Sequence, residues 1–160
     1  VITPYYRKDI EDSLKPLPHQ KIFYSYIEYQ EFKPFSKLSY ESDIKEARTV
    51  LLFCEIANTY SLEDHLKRKY NTISKIQFND HHDYTEKDID MVIEKYNDLI
   101  GKNKIIVTTE NDAMRLINSS LVNKFDDIPL FTIPIKVKFH KEEGTSFDDE
   151  ILNYVKKNLR

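Results

Sequence analysis

The stretch Thr49-Val-Leu-Leu-Phe-Cys54 is apolar at every position from Val50 onward, so neither face of an extended strand there can meet water. A strand of that kind belongs to a sheet covered on both sides. The following chain supplies the covers. Ser61 opens a helix to about Tyr70 with Leu62 and Leu66 on one face, and Thr72 to Phe78 reads as the next strand. From Thr85 to about Ile100, the residues Ile89, Ile93, Tyr96 and Ile100 form one helical stripe flanked by Val92 and Leu99, with Gly101 as the stop. Lys104 to Val107 is a short strand, Thr108-Thr109-Glu110 a turn, and Asp112 to Ile117 the start of a helix. Ile128 to Phe139, broken by Pro134, predicts one strand or two near a sheet edge, and Thr145 to Leu159 predicts a closing helix with Phe147, Ile151, Tyr154 and Val155 inward. Strands separated by helices imply right-handed crossovers and a mainly parallel sheet, hence a three-layer α/β fold with helices on both faces.

The first third is less regular. Arg7 to Leu14 predicts a short helix ended by Pro16 and Pro18, and Ile22 to Tyr29 a strand. Gln30 to Glu46 is read as an excursion or hairpin suited to a flap, with Phe32, Phe35 and Tyr40 as cover for the sheet edge. A length of 160 residues fits a single α/β domain over 1–160. The net charge of -3 offers no general attraction to nucleic acid or anionic lipid. The single cysteine, Cys54, sits in the apolar run, which makes it a core residue and excludes an intrachain disulfide. No apolar run approaches the ~20 residues that cross a bilayer, and no leader pattern is present. Val1-Ile2-Thr3 resembles the tail of a strand begun upstream, so the chain is expected to be a piece of something larger. With two glycines in all, it cannot build a Gly-rich phosphate loop, and a nucleoside triphosphate must be held mainly elsewhere.

The chemistry-bearing residues gather at three strand ends: Glu55-Ile56-Ala57-Asn58, Asn79-Asp80-His81-His82-Asp83 and Thr108-Thr109-Glu110-Asn111-Asp112. In a parallel sheet these lie on one edge, each before a helix start, and form a polar crevice suited to an anion such as phosphate. The second of them runs from strand residues Ile76 and Phe78 into Thr85 and Asp88, which are spaced as a capping box. His81 and His82 admit three readings: turn histidines, metal ligands, or an acid-base group whose tautomer a carboxylate such as Asp80 fixes. Thr109 and Asp112 suffice as a helix cap, Arg115 is placed to pair with Asp112 or to reach an external phosphate, and Asn58 suits either a loop or the cleft.

The ordered sets Ile56-Ala57-Asn58, Phe78-x-Asp80-His81-His82-x-Tyr84-Thr85-x-x-Asp88 and Thr108-Thr109-Glu110-x-Asp112-Ala113-x-Arg115-Leu116, with the opening Val-Ile-Thr and Phe23-Tyr24-Ser25 before Tyr29, resemble the C-terminal half of the tetraacyldisaccharide 4'-kinase (lipid A 4'-kinase) family in its Bacteroidetes-like form. The family turn reads Gly-Ile-Ala-Asn-Pro, where this chain has Glu55 and Thr59, and Asn111 stands where the family has lysine. The resemblance implies a two-domain P-loop-type kinase of lipid A and lipopolysaccharide biosynthesis whose N-terminal domain is absent from this chain. That domain would carry the P-loop, ATP, Mg2+ and a catalytic aspartate. The transferase would move the ATP γ-phosphoryl group to the 4'-hydroxyl of an acylated glucosamine disaccharide 1-phosphate. It implies His81 with Asp80 as the catalytic pair reaching that aspartate, and Asn58, His82, Thr108, Thr109, Glu110, Asp112 and Arg115 along the nucleotide or substrate cleft. No metal site is implied in this chain, which would be inert alone. The location implied is cytoplasmic, peripheral on the inner membrane of a Gram-negative bacterium, with the membrane touched only through the missing part. Two other readings stay open: a metal-dependent phosphoesterase named for its Asp-His-His triplet, and a non-catalytic module that binds a nucleotide or a protein.

Overall fold

The computed structural model describes residues 3–140 and 143–158, so the expected strand tail at Val1 and Ile2 lies outside the described residues. The chain divides into two compact units. Unit 1 is Val1–Glu28 with Val137–Arg160, and unit 2 is Tyr29–Lys136.

Unit 2 contains the sheet. Its strands are β2 (Lys33–Pro34), β3 (Thr49–Cys54), β4 (Thr72–Gln77), β5 (Lys104–Thr109) and β6 (Leu130–Ile133), in the order β2-β6-β5-β3-β4. β3, β4, β5 and β6 are parallel, and β2 runs antiparallel on the β6 edge. All six residues of β3 are buried, as an apolar strand at the centre must be. Its alternation feeds two cores. Leu51 and Phe53 meet Ile89, Val92 and Tyr96 of α3 (Glu86–Asp98) and Leu116 of α4 (Glu110–Ile117). On the other face, Val50, Leu52 and Cys54 meet Leu62 and Leu66 of α2 (Tyr60–Lys67). Each fully buried Leu, Val or Phe contributes roughly 1.5–3 kcal/mol of transfer free energy. The mainly parallel, three-layer α/β architecture is therefore present within unit 2.

Local chemistry explains where the elements end. Thr85 and Asp88 form the reciprocal capping box at the start of α3. That helix closes two residues early: Leu99 is already extended, and Ile100 is 93% exposed instead of completing the stripe. Thr59 rather than Ser61 is the N-cap residue of α2. Two segments placed by pattern sit elsewhere in space. β6 is an inner strand, buried throughout, because β2 covers its outer side, and Pro34 is tolerated on that edge. Phe35 and Phe32 pack against the two cores, while Tyr40 is exposed.

Unit 1 holds α1 (Pro4–Leu14), α5 (Glu143–Asn158) and most of the two-stranded sheet made by β1 (Ser25–Tyr29) and β7 (Ile135–Phe139). Thr3 caps α1, and Lys15 ends it in a left-handed conformation before Pro16. The strand expected over Ile22–Tyr29 begins only at Ser25 and pairs with β7 outside the main sheet. Phe147 packs on Phe23 and Phe139, but Ile151, Tyr154 and Val155, expected inward, are exposed. Sequence periodicity reports an apolar face without saying what covers it. No helix among the described residues is long and apolar enough to cross a membrane.

Candidate functional site

The strand order places a switch point beside β3. From β3 the chain turns to β4 on one side, and from β5 it turns to β6 on the other, so the carboxyl ends of β3 and β5 flank the place where such sheets form a crevice. In open α/β sheets ligands bind at such a point. Glu55 follows β3 there, Thr109 ends β5, and the Asp80 to Asp83 turn follows β4.

Asp112, fully buried in the first turn of α4, anchors the floor. Its Oδ1 accepts the Tyr84 hydroxyl at 2.8 Å, its Oδ2 accepts the Thr109 hydroxyl at 2.6 Å, and its amide caps back on Thr109. Burial, followed by the Asp112 carboxylate, pushes the Tyr84 phenol far above its ordinary range and keeps it a donor. Arg115 does not pair with Asp112 as expected. The aspartate is turned inward onto Tyr84 and Thr109, and Arg115 one turn later reaches the histidine knot. Its Nε lies 2.8 Å from Glu55 Oε1, its Nη2 donates to His81 Nδ1 at 3.3 Å, and its Nη1 is 3.9 Å from Asp83 Oδ1.

The two histidines diverge. The His82 ring stacks on Phe78 and bonds Asp88 Oδ2 at 3.0 Å, within the capping box. Burial pushes Asp88 up, but the Thr85 hydroxyl and amide and the His82 ring outweigh it and hold the carboxyl below its usual range. His81 instead occupies the left-handed region at φ 58°, with its side chain 83% exposed. Such a conformation costs a residue with a Cβ on the order of 1 kcal/mol and is concentrated at functional turns. Because Arg115 donates to Nδ1, a neutral imidazole there carries its proton on Nε2, which lies 3.7 Å from Asp80 Oδ2. Arg115, more closely than Asp80, is thus the group that sets this tautomer.

The other candidate positions divide. Asn58 accepts the Tyr60 amide at 3.0 Å as a loop former, and Glu110 pairs with Lys33 at the β2 edge. Thr108 is buried, and its hydroxyl has no hydrogen-bond partner. His81, Arg115, Thr109 and Asp112 join one network, into which Glu55 also ties the His82 amide; the side chains of Asn58, Glu110 and His82 meet other groups, and the Thr108 hydroxyl bonds none. Three members of the network were not selected from the sequence. Asp83 was visible only as a neighbour of the histidines, and Tyr84 only as one position of the ordered motif that carries the resemblance. Glu55 carried a usable signal, an acid directly after a strand buried on both faces. No three His, Cys, Asp or Glu side chains gather as a metal centre among the described residues.

A family model described as tetraacyldisaccharide-1-P 4'-kinase matches residues 5–156. The tetraacyldisaccharide 4'-kinase of Bacteroides thetaiotaomicron is 27% identical over 161 residues, covering 94% of this chain and 42% of that protein. That of Flavobacterium johnsoniae is 32% identical over 153 residues, covering 94% and 41%. The chain therefore spans about two fifths of the length of the curated relatives it matches. A solved structure of LpxK from Aquifex aeolicus in complex with ATP is 20% identical, covers 81% of this chain and 35% of its own, and superposes with a TM-score of 0.40.

Proposed function

Because the chain belongs to the tetraacyldisaccharide-1-P 4'-kinase family, we propose that it is the C-terminal part of an ATP-dependent lipid kinase that phosphorylates the 4'-hydroxyl of an acylated glucosamine disaccharide 1-phosphate. In that reaction the γ-phosphoryl group leaves the ADP oxygen for the 4'-oxygen, whose proton passes to a base. Such transfer depends chiefly on positioning and charge stabilisation. A second half that closes over the reacting groups has a clear part in it.

The observation that carries the reading is His81. It stands on a left-handed turn at the switch-point crevice, with Nδ1 held by Arg115 and Nε2 left outward. In this tautomer it is a donor rather than a base. It suits an imidazole that orients and charge-tunes a catalytic aspartate supplied by the N-terminal P-loop domain. Asp80 lies beside the donor edge, and the first turns of α2, α3 and α4 open on the same rim, where backbone amides favour phosphate. Arg115 adds a fixed positive charge.

ATP and Mg2+ are read as held mainly by the N-terminal P-loop domain: neither of the chain's two glycines, Gly101 and Gly144, lies at a strand-to-helix turn of the crevice, where a Gly-rich phosphate loop would have to be built. Contact with the cytoplasmic face of the inner membrane is assigned to the same missing part.

The test is phosphate transfer from labelled ATP to tetraacyldisaccharide 1-phosphate by the product of the complete reading frame. His81→Ala is expected to lower transfer about 10²-fold or more, the range of acid-base and proton-handling groups. Transfer unchanged by the mutation reduces His81 to a turn residue, and absence of transfer by the wild type overturns the kinase reading.

A further inference from the structure

Glu55 is the least comfortable residue of the crevice. Its side chain is 9% exposed, yet it carries a carboxyl at the end of the most buried strand. Oε2 accepts the His82 amide at 2.8 Å. Oε1 faces Arg115 Nε at 2.8 Å as an ion pair, without the alignment of a hydrogen bond. A buried carboxyl with an unsatisfied oxygen is costly to keep, by about 1–3 kcal/mol or more for a charged group. An apolar residue here would continue the β3 pattern at no such cost.

What the acid holds explains its place. Arg115 is part exposed, and its other carboxylate partner, Asp83, is 3.9 Å away and fully in solvent, where such a pair contributes little. The guanidinium is therefore anchored by Glu55. One end of Glu55 fixes the backbone at His82, next to the left-handed residue, and the other fixes the Nε of the arginine whose Nη2 meets His81. The planar fork of arginine makes these two contacts at once, which a lysine cannot do.

We propose that Glu55 is a positioning residue for the transfer reaction, acting through Arg115 and the His82 amide to set the direction of His81. The inference rests on the kinase reading for its reaction, but not for its geometry. Burial and the adjacent Asp112 carboxyl push Glu55 above the ordinary carboxylate range, and the His82 amide and Arg115 oppose that shift. The clamp is thus set against its own desolvation.

The experiment uses Glu55→Gln, Arg115→Lys, Arg115→Ala and the Glu55→Gln/Arg115→Ala double variant, in the product of the complete reading frame. The first readout is proton exchange of the Arg115 Nε–H by NMR, expected to quicken at least about tenfold in E55Q, because the carboxylate charge 2.8 Å away that repels the attacking hydroxide is lost. The second is kinetic. E55Q and R115K should each lower kcat about tenfold with KM for ATP within about twofold, a loss confined to the transition state. The double variant should fall no further than R115A, because groups acting as one unit do not add. Unchanged Nε–H exchange in E55Q, multiplicative losses in the double variant, or full kcat in R115K would each overturn the proposal. R115K keeps the argument falsifiable if E55Q does not fold, since it alters a part-exposed side chain. A wild type without transfer removes the kinase reading, and the Nε–H exchange still decides what Glu55 holds.

Discussion

Tyr84→Phe removes one oxygen and nothing else. The Tyr84 ring packs edge-on against Phe53, Phe78 and His82 at centroid separations of 5.8, 5.1 and 5.4 Å, and phenylalanine keeps all three contacts. What is lost is the 2.8 Å bond to Asp112, whose fully buried carboxylate is left with the Thr109 hydroxyl. A hydrogen bond to a charged group contributes about 1.5–3 kcal/mol. Unfolding followed by circular dichroism should therefore show a loss of about 2 kcal/mol, or about 4–8 °C in Tm for a chain of this size. Tyr60→Phe, whose ring is exposed, serves as the control and should stay within about 0.5 kcal/mol of the wild type. The pH dependence adds a second test. The folded Tyr84 phenol is raised above its unfolded value of 10.0, so its contribution is complete below that pH and is lost as pH rises beyond it. The variant should lack this alkaline loss. A Y84F protein within 0.5 kcal/mol of wild type, with the same alkaline profile, would refute the claim that Tyr84 and Asp112 hold the floor of the crevice.

Two further outcomes follow from titrating groups, one half-buried and one fully buried. Burial pushes the His65 imidazole below its ordinary value of 6.5, with Lys69 and Arg68 adding to the effect, and its ring lies 4.7 Å from Tyr29 with Nε2 unpaired. Its stabilising share is present above pH 6.5 and is lost as pH falls through the lowered folded value, so His65→Leu should flatten the acid side of a urea-midpoint profile; an unchanged slope would exclude His65 as its source. Cys54, its thiol pushed up by burial to about 11, should resist a thiol reagent at pH 8 in the native protein and react fully once unfolded. Rapid native labelling would contradict its place in the core.

Much of the fold was legible because its signals are local. An apolar run at β3 requires two covers wherever it lies, and Thr85 with Asp88 announces a helix start through two side-chain bonds that need nothing distant. The inward assignments of α5 failed for the opposite reason: periodicity shows a helix has an apolar face but not whether anything lies against it. Ile100 failed because the helix ended before reaching it, as Leu99 turned extended. In the crevice, residue type and position brought both histidines forward without separating them, and only the family resemblance set His81 ahead of His82. The partner of His81 was not found. Arg115 was read against Asp112 because they are three apart on a helix, and the tertiary pull of Glu55, sixty positions earlier in the chain, has no trace in helical spacing.

The chain crosses between units 1 and 2 twice, at Glu28 to Tyr29 and again at Lys136 to Val137. Just inside those crossings the Gln30 amide donates to the Pro134 carbonyl at 2.9 Å, so unit 2 leaves and returns at one spot. It is a cassette whose two ends are tied to each other by that backbone bond, and loop-closure entropy grows only slowly with length. The cassette's contents can be lengthened, trimmed or rewritten without moving either end of the chain that carries it. That freedom allows the crevice to change while the entry and exit of unit 2 stay in register.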